Sequence, residues 1–240
     1  LTTSSDRFFI QHYFSLSDNG IYAVAARFGA IMQIVGAIIF QAWQEMALRQ
    51  YNSPDRDKFF SEMVKLFIMF MSIAALCFAF GLKIVYPFIV SPEYVAGIVY
   101  VFPIIASSVL YALSNILEVG YQCSFETGRA LLGVGVSAAV NILLNFVLIQ
   151  TIGIYGVVVT SVVTYAVLLG FRIHDSRRYF KINISKMSIL TVAIGAVGVF
   201  PFYFTDSALV DVVMIMIGLA AMTLVAPRVL RSLRQSKRGS

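Results

Sequence analysis

The chain has 240 residues, of which 59% are hydrophobic and only 12% are charged, and its mean hydropathy is +0.84. A soluble domain carries about 25% charged residues, so this composition excludes a soluble globular protein. The net charge of +6 is distributed over several separate segments, which indicates topology control and attraction to anionic lipid rather than binding to nucleic acid.

Long apolar segments follow one another along the chain. Residues 1–16 are amphipathic and lead to a turn signal, SDNG, at 17–20; they predict the end of a spanning helix whose start is missing, and hence a fragment. Seven apolar stretches follow, at 21–44, 64–86, 97–117, 130–150, 155–171, 187–204 and 209–226. A hydrocarbon core of about 30 Å needs about 20 apolar residues in a helix, so each stretch predicts a spanning helix. The runs are too long and too uniform for spanning β-strands.

The basic residues alternate between the two sides of the predicted membrane. Of the 18 Lys and Arg residues, fifteen lie in the links 46–65, 119–130 and 171–187 and in the tail 227–240, whereas the opposite links hold only Lys83. Loops rich in Lys and Arg remain in the cytoplasm. The pattern therefore predicts a multi-pass protein of the inner membrane with a cytoplasmic C-terminus.

The sequence contains no motif of soluble enzyme chemistry. The patterns GxxxxGK[ST], HExxH, GxSxG and CxxC do not occur. Cys77 lies in an apolar stretch and Cys123 in a cytoplasmic link, so no disulfide is predicted. Glu118 and Glu126 flank a short link and are expected to be solvated. We therefore expect a protein that is not an enzyme and that has neither a metal nor a cofactor.

Two arginines fall inside the predicted spans. Measured from the turn at 17–20, Arg27 lies about 9 Å and Arg7 about 15 Å into the membrane at about 1.5 Å per residue. A charge at the bilayer centre costs about 2.5–3.5 kcal/mol on insertion scales, and such residues normally face a cavity or a partner. A cationic site, an ion pair within the bundle and, for Arg27, snorkelling to the outer interface remain open interpretations.

Glutamines add polar character to the first full helix. Gln33, Gln41 and Gln44 fall within a broad arc, and with Glu45 they do not form one clean stripe. Interhelical hydrogen bonds, at about 0.6 kcal/mol per contact, and the lining of a cavity both explain such residues.

Three further polar residues are candidates for a site. Asn141 and Asn145 are four residues apart and therefore share one helix face, where they would line a cavity or join two helices. His12 is suited to proton relay because an imidazole titrates near neutral pH. It has no neighbouring His or Cys in the sequence that would indicate a metal site.

Several short segments resemble one protein family in their order and spacing. They are DRFF at 6–9 with LSDNGIY at 16–22, FQAW at 40–43, PEYVA at 92–96, and Asn141 and Asn145 followed by IGIYGV at 152–157. Over residues 6 to about 180 the chain resembles the bacterial flippases for O-antigen, capsule or exopolysaccharide. These belong to the multidrug/oligosaccharidyl-lipid/polysaccharide exporter superfamily.

The resemblance implies an all-helical membrane exporter built from two pseudo-symmetric lobes, of which this chain is the second. Seven full spanning helices would follow the end of an eighth. The implied domains are a helical bundle at 1–173, a basic cytoplasmic link at 174–186, two extra spanning helices at 187–227 and a cytoplasmic basic tail at 228–240.

The resemblance also implies a function and assigns roles to the polar residues. Such exporters move undecaprenyl-pyrophosphate-linked oligosaccharide across the inner membrane by ion-coupled alternating access, with a polymerase and a chain-length regulator as candidate partners. The implied substrate-binding residues are Arg7, Arg27, Gln33, Gln41, Asn141 and Asn145, and guanidinium groups suit a pyrophosphate. The implied ion-coupling residues are Asp6, His12 and Glu45.

Three other classes are alternatives. A multidrug or small-molecule cation antiporter of the same superfamily shares the expected fold. A polysaccharide polymerase or ligase would need a large outer loop with clustered Arg and His, whereas the outer links here are short and hold one lysine. A non-transporting scaffold would leave the intramembrane Arg and Gln residues without a role.

Overall fold

The structure is a computed structural model. It describes the backbone of residues 2–183 and 186–238 and the side chains of residues 6–183 and 186–223. Every regular element in these ranges is helical, which confirms the predicted all-helical class. The side chains of the predicted basic tail, and residues 184–185 of the predicted basic link, lie outside the described residues.

The described residues form nine α-helices and one short 3₁₀ turn. They are α1 Thr2–Tyr13, α2 Leu16–Gln50, α3 Arg56–Ile89, the 3₁₀ turn Pro92–Gly97, α4 Ile98–Ser124, α5 Thr127–Ile152, α6 Ile154–Ser176, α7 Lys186–Val197, α8 Val199–Phe204 and α9 Ala208–Arg238.

Six helical segments are long and apolar enough to cross a bilayer. They are Leu16–Gln50, Arg56–Ile89, Pro92–Ser124, Thr127–Ile152, Ile154–Ser176 and Lys186–Phe204. The chain thus has the make-up of a polytopic membrane protein. The apolar part of α9, Ala208–Thr223, is shorter than these six, so the seventh predicted span stays a prediction.

The turn between α1 and α2 precedes the position that the sequence signal indicated. The predicted turn at 17–20 is wrong, because these residues are helical. Ser15 is the N-cap of α2: its Oγ accepts a hydrogen bond from the Asp18 N–H at 3.2 Å, and the Asp18 carboxylate accepts one from the Ser15 N–H at 3.2 Å. This capping box satisfies N–H groups that a helix start leaves free. The link is reduced to Phe14 and Ser15.

The chain divides into two compact units, Leu1–Tyr51 with Tyr86–Tyr179, and Asn52–Val85 with Phe180–Ser240. In the first unit α4 packs against both α2 and α6, and α5 packs against α6. Trp43 of α2 is 1% exposed, and its Nε1 donates a hydrogen bond to the Ile116 carbonyl of α4 at 3.0 Å.

Glycines allow the helices of the first unit to approach closely. A Cβ on Gly29 of α2 would overlap the Ile104 side chain of α4, and a Cβ on Gly156 of α6 would overlap the Leu148 backbone of α5. Small residues have this role in membrane bundles because lipid provides no hydrophobic drive between helices.

The second unit contains residues 56–85 of α3. Its core cluster contains Leu66, Met69 and Ile73, with Met63, Cys77, Ala221 and Met222 packed around it. Lys83, which the sequence placed in an outer link, is helical. Its ammonium donates to the Phe202 carbonyl at 2.8 Å and lies 3.6 Å from the Asp211 carboxylate. An ammonium near the last carbonyls of α8 complements the negative end of that helix.

We predict that Gly156→Val destabilises the first unit. The new side chain would meet the Leu148 backbone, which cannot move aside as a side chain can, so we expect a loss of about 1–3 kcal/mol in the free energy of unfolding. Thermal unfolding in detergent measures it. Gly170→Ala is the control, because a Cβ added at Gly170 would have no neighbouring atom within 4 Å; equal melting temperatures for the two variants would contradict the prediction.

Candidate functional site

A buried carboxylate joins four helices. Asp6 of α1 is 2% exposed. Its Oδ2 accepts hydrogen bonds from the Tyr22 hydroxyl of α2 at 3.0 Å and from the Ser161 hydroxyl of α6 at 2.8 Å. Its Oδ1 accepts one from the Asn145 amide of α5 at 3.2 Å. The carboxylate thus links α1 to α2, α5 and α6.

These four residues lie at one depth along their helices. Asp6 and Asn145 each precede the last residue of their helix by seven positions. Tyr22 and Ser161 follow the first residue of theirs by six and seven positions. At about 1.5 Å per residue, each lies about 10 Å from the turn at its end of the bundle.

Two tight turns bring the helix ends together. One consists of Phe14 and Ser15, and the other of Gly153, whose φ of 65° lies in the region that favours glycine. The Phe14 ring packs on Gly153, 3.4 Å from where a Cβ would lie. The α1–α2 and α5–α6 hairpins therefore have adjacent turns, and Asp6 is brought level with α5 and α6.

Further amide and hydroxyl groups adjoin the carboxylate. The Asn145 amide also donates to Asn141 Oδ1 at 3.2 Å, and the Asn141 amide donates to Thr164 Oγ1 at 3.2 Å. Asn145 Oδ1 and Thr160 Oγ1 are buried and have no hydrogen-bond partner among the described residues. A buried polar atom without a partner costs about 1–3 kcal/mol, so the oxygens of Asn145 and of Thr160, the residue before Ser161, are suited to an additional ligand.

Asp6 forms no ion pair with a lysine or arginine among the described side chains. A buried carboxylate that lacks an opposite charge is costly, so Asp6 is suited to hold a proton or a cation. Carboxylate, amide and hydroxyl oxygens surround the position, and hard cations prefer such oxygens. The residues therefore fit either H⁺ or a monovalent cation such as Na⁺.

The structure does not gather the other predicted ion-coupling residues at Asp6. His12 is exposed, and its imidazole stacks on the Phe8 ring with centroids 6.4 Å apart. Glu45 is exposed and lies about 35 Å along α2 from Tyr22 at about 1.5 Å per residue. Conversely, Asn141 and Asn145, expected to bind substrate, are buried beside Asp6.

The earlier turn also changes the depths of the two arginines. Measured from the ends of α1 and α2, Arg7 lies about 9 Å and Arg27 about 17 Å into the bundle, the reverse of the sequence-based order. Both side chains are exposed on this chain. Because α2 has 35 residues and is longer than a core of about 30 Å requires, its first turns can extend beyond the core, and snorkelling of Arg27 stays an open interpretation.

One face of α2 carries three of the predicted residues. At about 100° per residue, Arg27, Gln41 and Glu45 lie within about 40° of one line along the helix, and all three are exposed. The isoleucines between them on this face, also exposed, are Ile31, Ile34 and Ile38. The face has a guanidinium, an apolar middle, and an amide and a carboxylate towards the C-terminal end of α2.

Two further glutamines of α2, Gln33 and Gln44, turn towards α4. The Gln33 amide lies 3.5 Å from Ser108 Oγ, and the Gln44 amide donates to Gln122 Oε1 at 2.7 Å. These contacts join helices, so Gln33 and Gln44 are separate from the exposed face. The arc predicted from the sequence thus divides into inward and outward residues.

A buried arginine lies near the C-terminal end of α6. Arg172 is 3% exposed, and its guanidinium donates to Glu118 Oε2 at 2.9 Å, to Asn115 Oδ1 at 3.0 Å and to Ser114 Oγ at 3.4 Å, all on α4. Glu118, expected to be solvated, is an ion-pair partner instead. The sequence assigned Arg172 to a basic link, and no local pattern indicated its partners.

A second group of charges adjoins the same helix ends. The buried Asp175 carboxylate lies 3.3 Å from Arg129 and 3.0 Å from Arg178. Glu126 pairs with Arg129 at 2.6 Å and accepts a hydrogen bond from the Tyr179 hydroxyl at 2.9 Å. Burial, followed by this bond to a carboxylate, raises the pKa of Tyr179 to about 12. Glu126 is therefore paired, and its side chain is also exposed to solvent as expected.

We predict that Arg172→Met strongly destabilises the first unit. Removing one partner of a buried pair costs about 3–5 kcal/mol, and Glu118 would keep its charge with fewer donors. Urea unfolding in detergent measures the loss. Arg177→Met is the matched control because Arg177 is exposed on the adjoining turn. Equal stability of the two variants would show that the pair does not hold α4 to α6.

Comparison of this chain with protein-family models, with curated proteins and with solved structures finds no match.

Proposed function

We propose that the chain belongs to an exporter that moves undecaprenyl-pyrophosphate-linked oligosaccharide from the inner to the outer leaflet of the bacterial inner membrane by ion-coupled alternating access. The observation that carries the proposal is Asp6, a buried carboxylate without a cationic partner in the described residues that joins α1 to three other helices. An ionisable residue within a membrane bundle is a functional candidate by default, because its burial is costly.

The Asp6 cluster consists of Asp6, Tyr22, Asn145 and Ser161. It gives a physical reason for coupling of transport to an ion. A proton on the carboxylate would convert one acceptor oxygen into a donor and so change its bonds to Tyr22 and Ser161. A bound cation would keep the carboxylate charged and recruit Asn145 Oδ1 and Thr160 Oγ1. In both cases the ion alters the contacts that hold α1 to its neighbours. An ion shifts a conformational equilibrium only through such differential contacts.

The exposed face of α2 supports an anionic, amphipathic substrate. Arg27 would pair with the pyrophosphate, since charge-assisted hydrogen bonds from a guanidinium to phosphate are strong. The isoleucines of the same face would border the lipid part, and Gln41 would contact polar groups near the C-terminal end of α2. Arg7, exposed on α1, would supply a second positive charge.

The proposed orientation follows from the loop charges. The basic links place the α4–α5 turn, the end of α6 and the C-terminus in the cytoplasm. The Asp6 cluster then lies about 10 Å from the outer ends of its helices at about 1.5 Å per residue. In this proposal the chain is the second lobe, with α7–α9 as the additional C-terminal helices, and a polymerase and chain-length regulator are candidate partners.

A second candidate is a multidrug or small-molecule cation antiporter of the same superfamily. The observation that favours it is Glu45, an exposed carboxylate on the face that also holds Arg27 and Gln41. A carboxylate would attract cationic compounds and repel a pyrophosphate. Growth of a deletion strain separates the two candidates: loss of surface polysaccharide favours the flippase, and sensitivity to cationic drugs with normal polysaccharide favours the antiporter.

We predict that Asp6→Asn in the full-length protein uncouples transport from its ion gradient. Asn preserves the size and one of the two acceptor oxygens of Asp6 but carries no charge, so neither a proton nor a cation can be exchanged there. The initial rate of substrate transport into inverted vesicles, with and without a proton or Na⁺ gradient, measures the effect. We expect the stimulation by the gradient to fall by about tenfold or more, the size of a typical coupling free energy.

Asp206→Asn is the control for Asp6→Asn, because Asp206 is an exposed carboxylate in the second unit. It should retain the full response to the gradient. An Asp6→Asn variant that is equally responsive would remove Asp6 from the coupling step, whatever its effect on stability.

We predict that Arg27→Ala abolishes polysaccharide export while membrane insertion persists. A hydrogen bond to a charged group contributes about 1.5–3 kcal/mol, so loss of the guanidinium should weaken pyrophosphate binding by about ten- to a hundredfold. Binding of a polyprenyl pyrophosphate to purified protein and surface polysaccharide in cells are the two measurements. Arg49→Ala, at the C-terminal end of α2 and also exposed, should behave as wild type. Normal export by Arg27→Ala would place the substrate elsewhere.

A further inference from the structure

The facing sides of α5 and α6 carry a strip of small and polar residues. The buried residues of α5 occur at every fourth position, and from Gly133 to Asn145 they are small or polar. On α6 three buried residues near Asp6 carry hydroxyls, and the buried Val157 and Leu168 flank them. We name this strip the α5–α6 seam; it consists of Gly133, Ser137, Asn141 and Asn145 of α5 with Thr160, Ser161 and Thr164 of α6.

The seam leads from Asp6 towards the opposite ends of both helices. From Asn145 to Arg129 the axis of α5 rises about 24 Å at about 1.5 Å per residue. At that end Arg129 meets the buried Asp175 of α6. Polar groups within a membrane bundle are costly and mark ion or substrate pathways. The seam is unlike the apolar remainder of α5, whose exposed residues include Leu132, Leu143 and Phe146.

One aromatic ring interrupts the seam. The Phe171 ring of α6 lies directly on Gly133, and a Cβ there would be 2.8 Å from Phe171 Cδ1. Gly133 is one helical turn from Ser137 on the same side of α5. The ring, with the buried Leu168 one turn before it on α6, therefore separates the polar residues near Asp6 from the charges around Asp175. The ring can lie there because Gly133 has no side chain.

We propose that the α5–α6 seam is the inward route of the coupling cation and that Phe171, packed on Gly133, closes it. The inference rests on the proposed ion coupling at Asp6. Asn145 Oδ1 and Thr160 Oγ1, buried without partners in the described residues, are the oxygens that receive the cation at the closed end. Apolar constrictions stop ions because they exclude water. Displacement of the ring from Gly133 then connects Asp6 with the inner side.

The test is passive cation flux through the full-length protein in proteoliposomes, without substrate. A potassium diffusion potential drives entry, an internal pH dye reports H⁺, and an internal sodium dye reports Na⁺. Phe171→Ala removes the ring, and we expect substrate-independent flux of the coupling cation to rise about tenfold or more over wild type, as for an opened apolar constriction. Phe146→Ala, a Phe on the outward face of α5, should remain at the wild-type rate.

The double variant Phe171→Ala with Asp6→Asn identifies the route. The additional flux should disappear, because the route ends at Asp6. Flux that persists in the double variant would show that Phe171→Ala opens some other path and would overturn the inference. Absence of additional flux in folded, monodisperse Phe171→Ala would overturn it equally.

A further variant covers failure of Phe171→Ala to fold. Phe171→Leu keeps an apolar side chain of similar size but no ring, and we expect a smaller rise in flux, about threefold, since the constriction is only partly opened. Wild-type flux in folded Phe171→Leu would then overturn the proposal. Failure of the proposed cation route can be distinguished from failure of the proposed function. If Asp6→Asn abolishes coupling while Phe171 variants show no leak, only the route is wrong; if Asp6→Asn leaves coupling intact, the proposed function itself fails.

Discussion

The structure depends on a carboxylate that is buried without a counter-ion among the described side chains. Asp6 receives hydrogen bonds from three helices, and these bonds reduce but do not remove the cost of burying a charge. In the proposed transport cycle, a proton or a cation supplies the rest. Because α1 is joined to α2, α5 and α6 through this group, exchange of that ion would change the contacts that hold α1.

The bilayer made much of the fold predictable. Its thickness sets the length of an apolar helix, and six of the seven predicted stretches correspond to helices long enough to cross it. Helix ends were less predictable because caps decide them. The residues SDNG at 17–20 have turn composition, yet the Ser15–Asp18 capping box starts α2 before them. That shift of a few residues exchanged the depths assigned to Arg7 and Arg27.

The candidate site could be predicted only in part. Asp6, Asn141 and Asn145 were recognisable because polar side chains are rare in spanning helices. Ser161 was not, since serine hydroxyls are tolerated in such helices and often bond to their own backbone. Tyr22 was not, since tyrosine is common near the ends of spanning helices. The pairing of Arg172 with Glu118 joins helices far apart in sequence, and only their packing reveals it. The position of α4 likewise decides which glutamines of α2 point inward, and the sequence alone does not give that position.

Transport coupling in this proposal stands on exchange of a proton or a cation at Asp6. Infrared difference spectroscopy of the purified full-length protein measures that exchange, by comparing spectra as pH and Na⁺ concentration are changed. We expect one of the responsive carboxyl bands of the wild type to be lost in Asp6→Asn and kept in Asp206→Asn. Identical difference spectra for the wild type and Asp6→Asn would show that Asp6 exchanges neither ion.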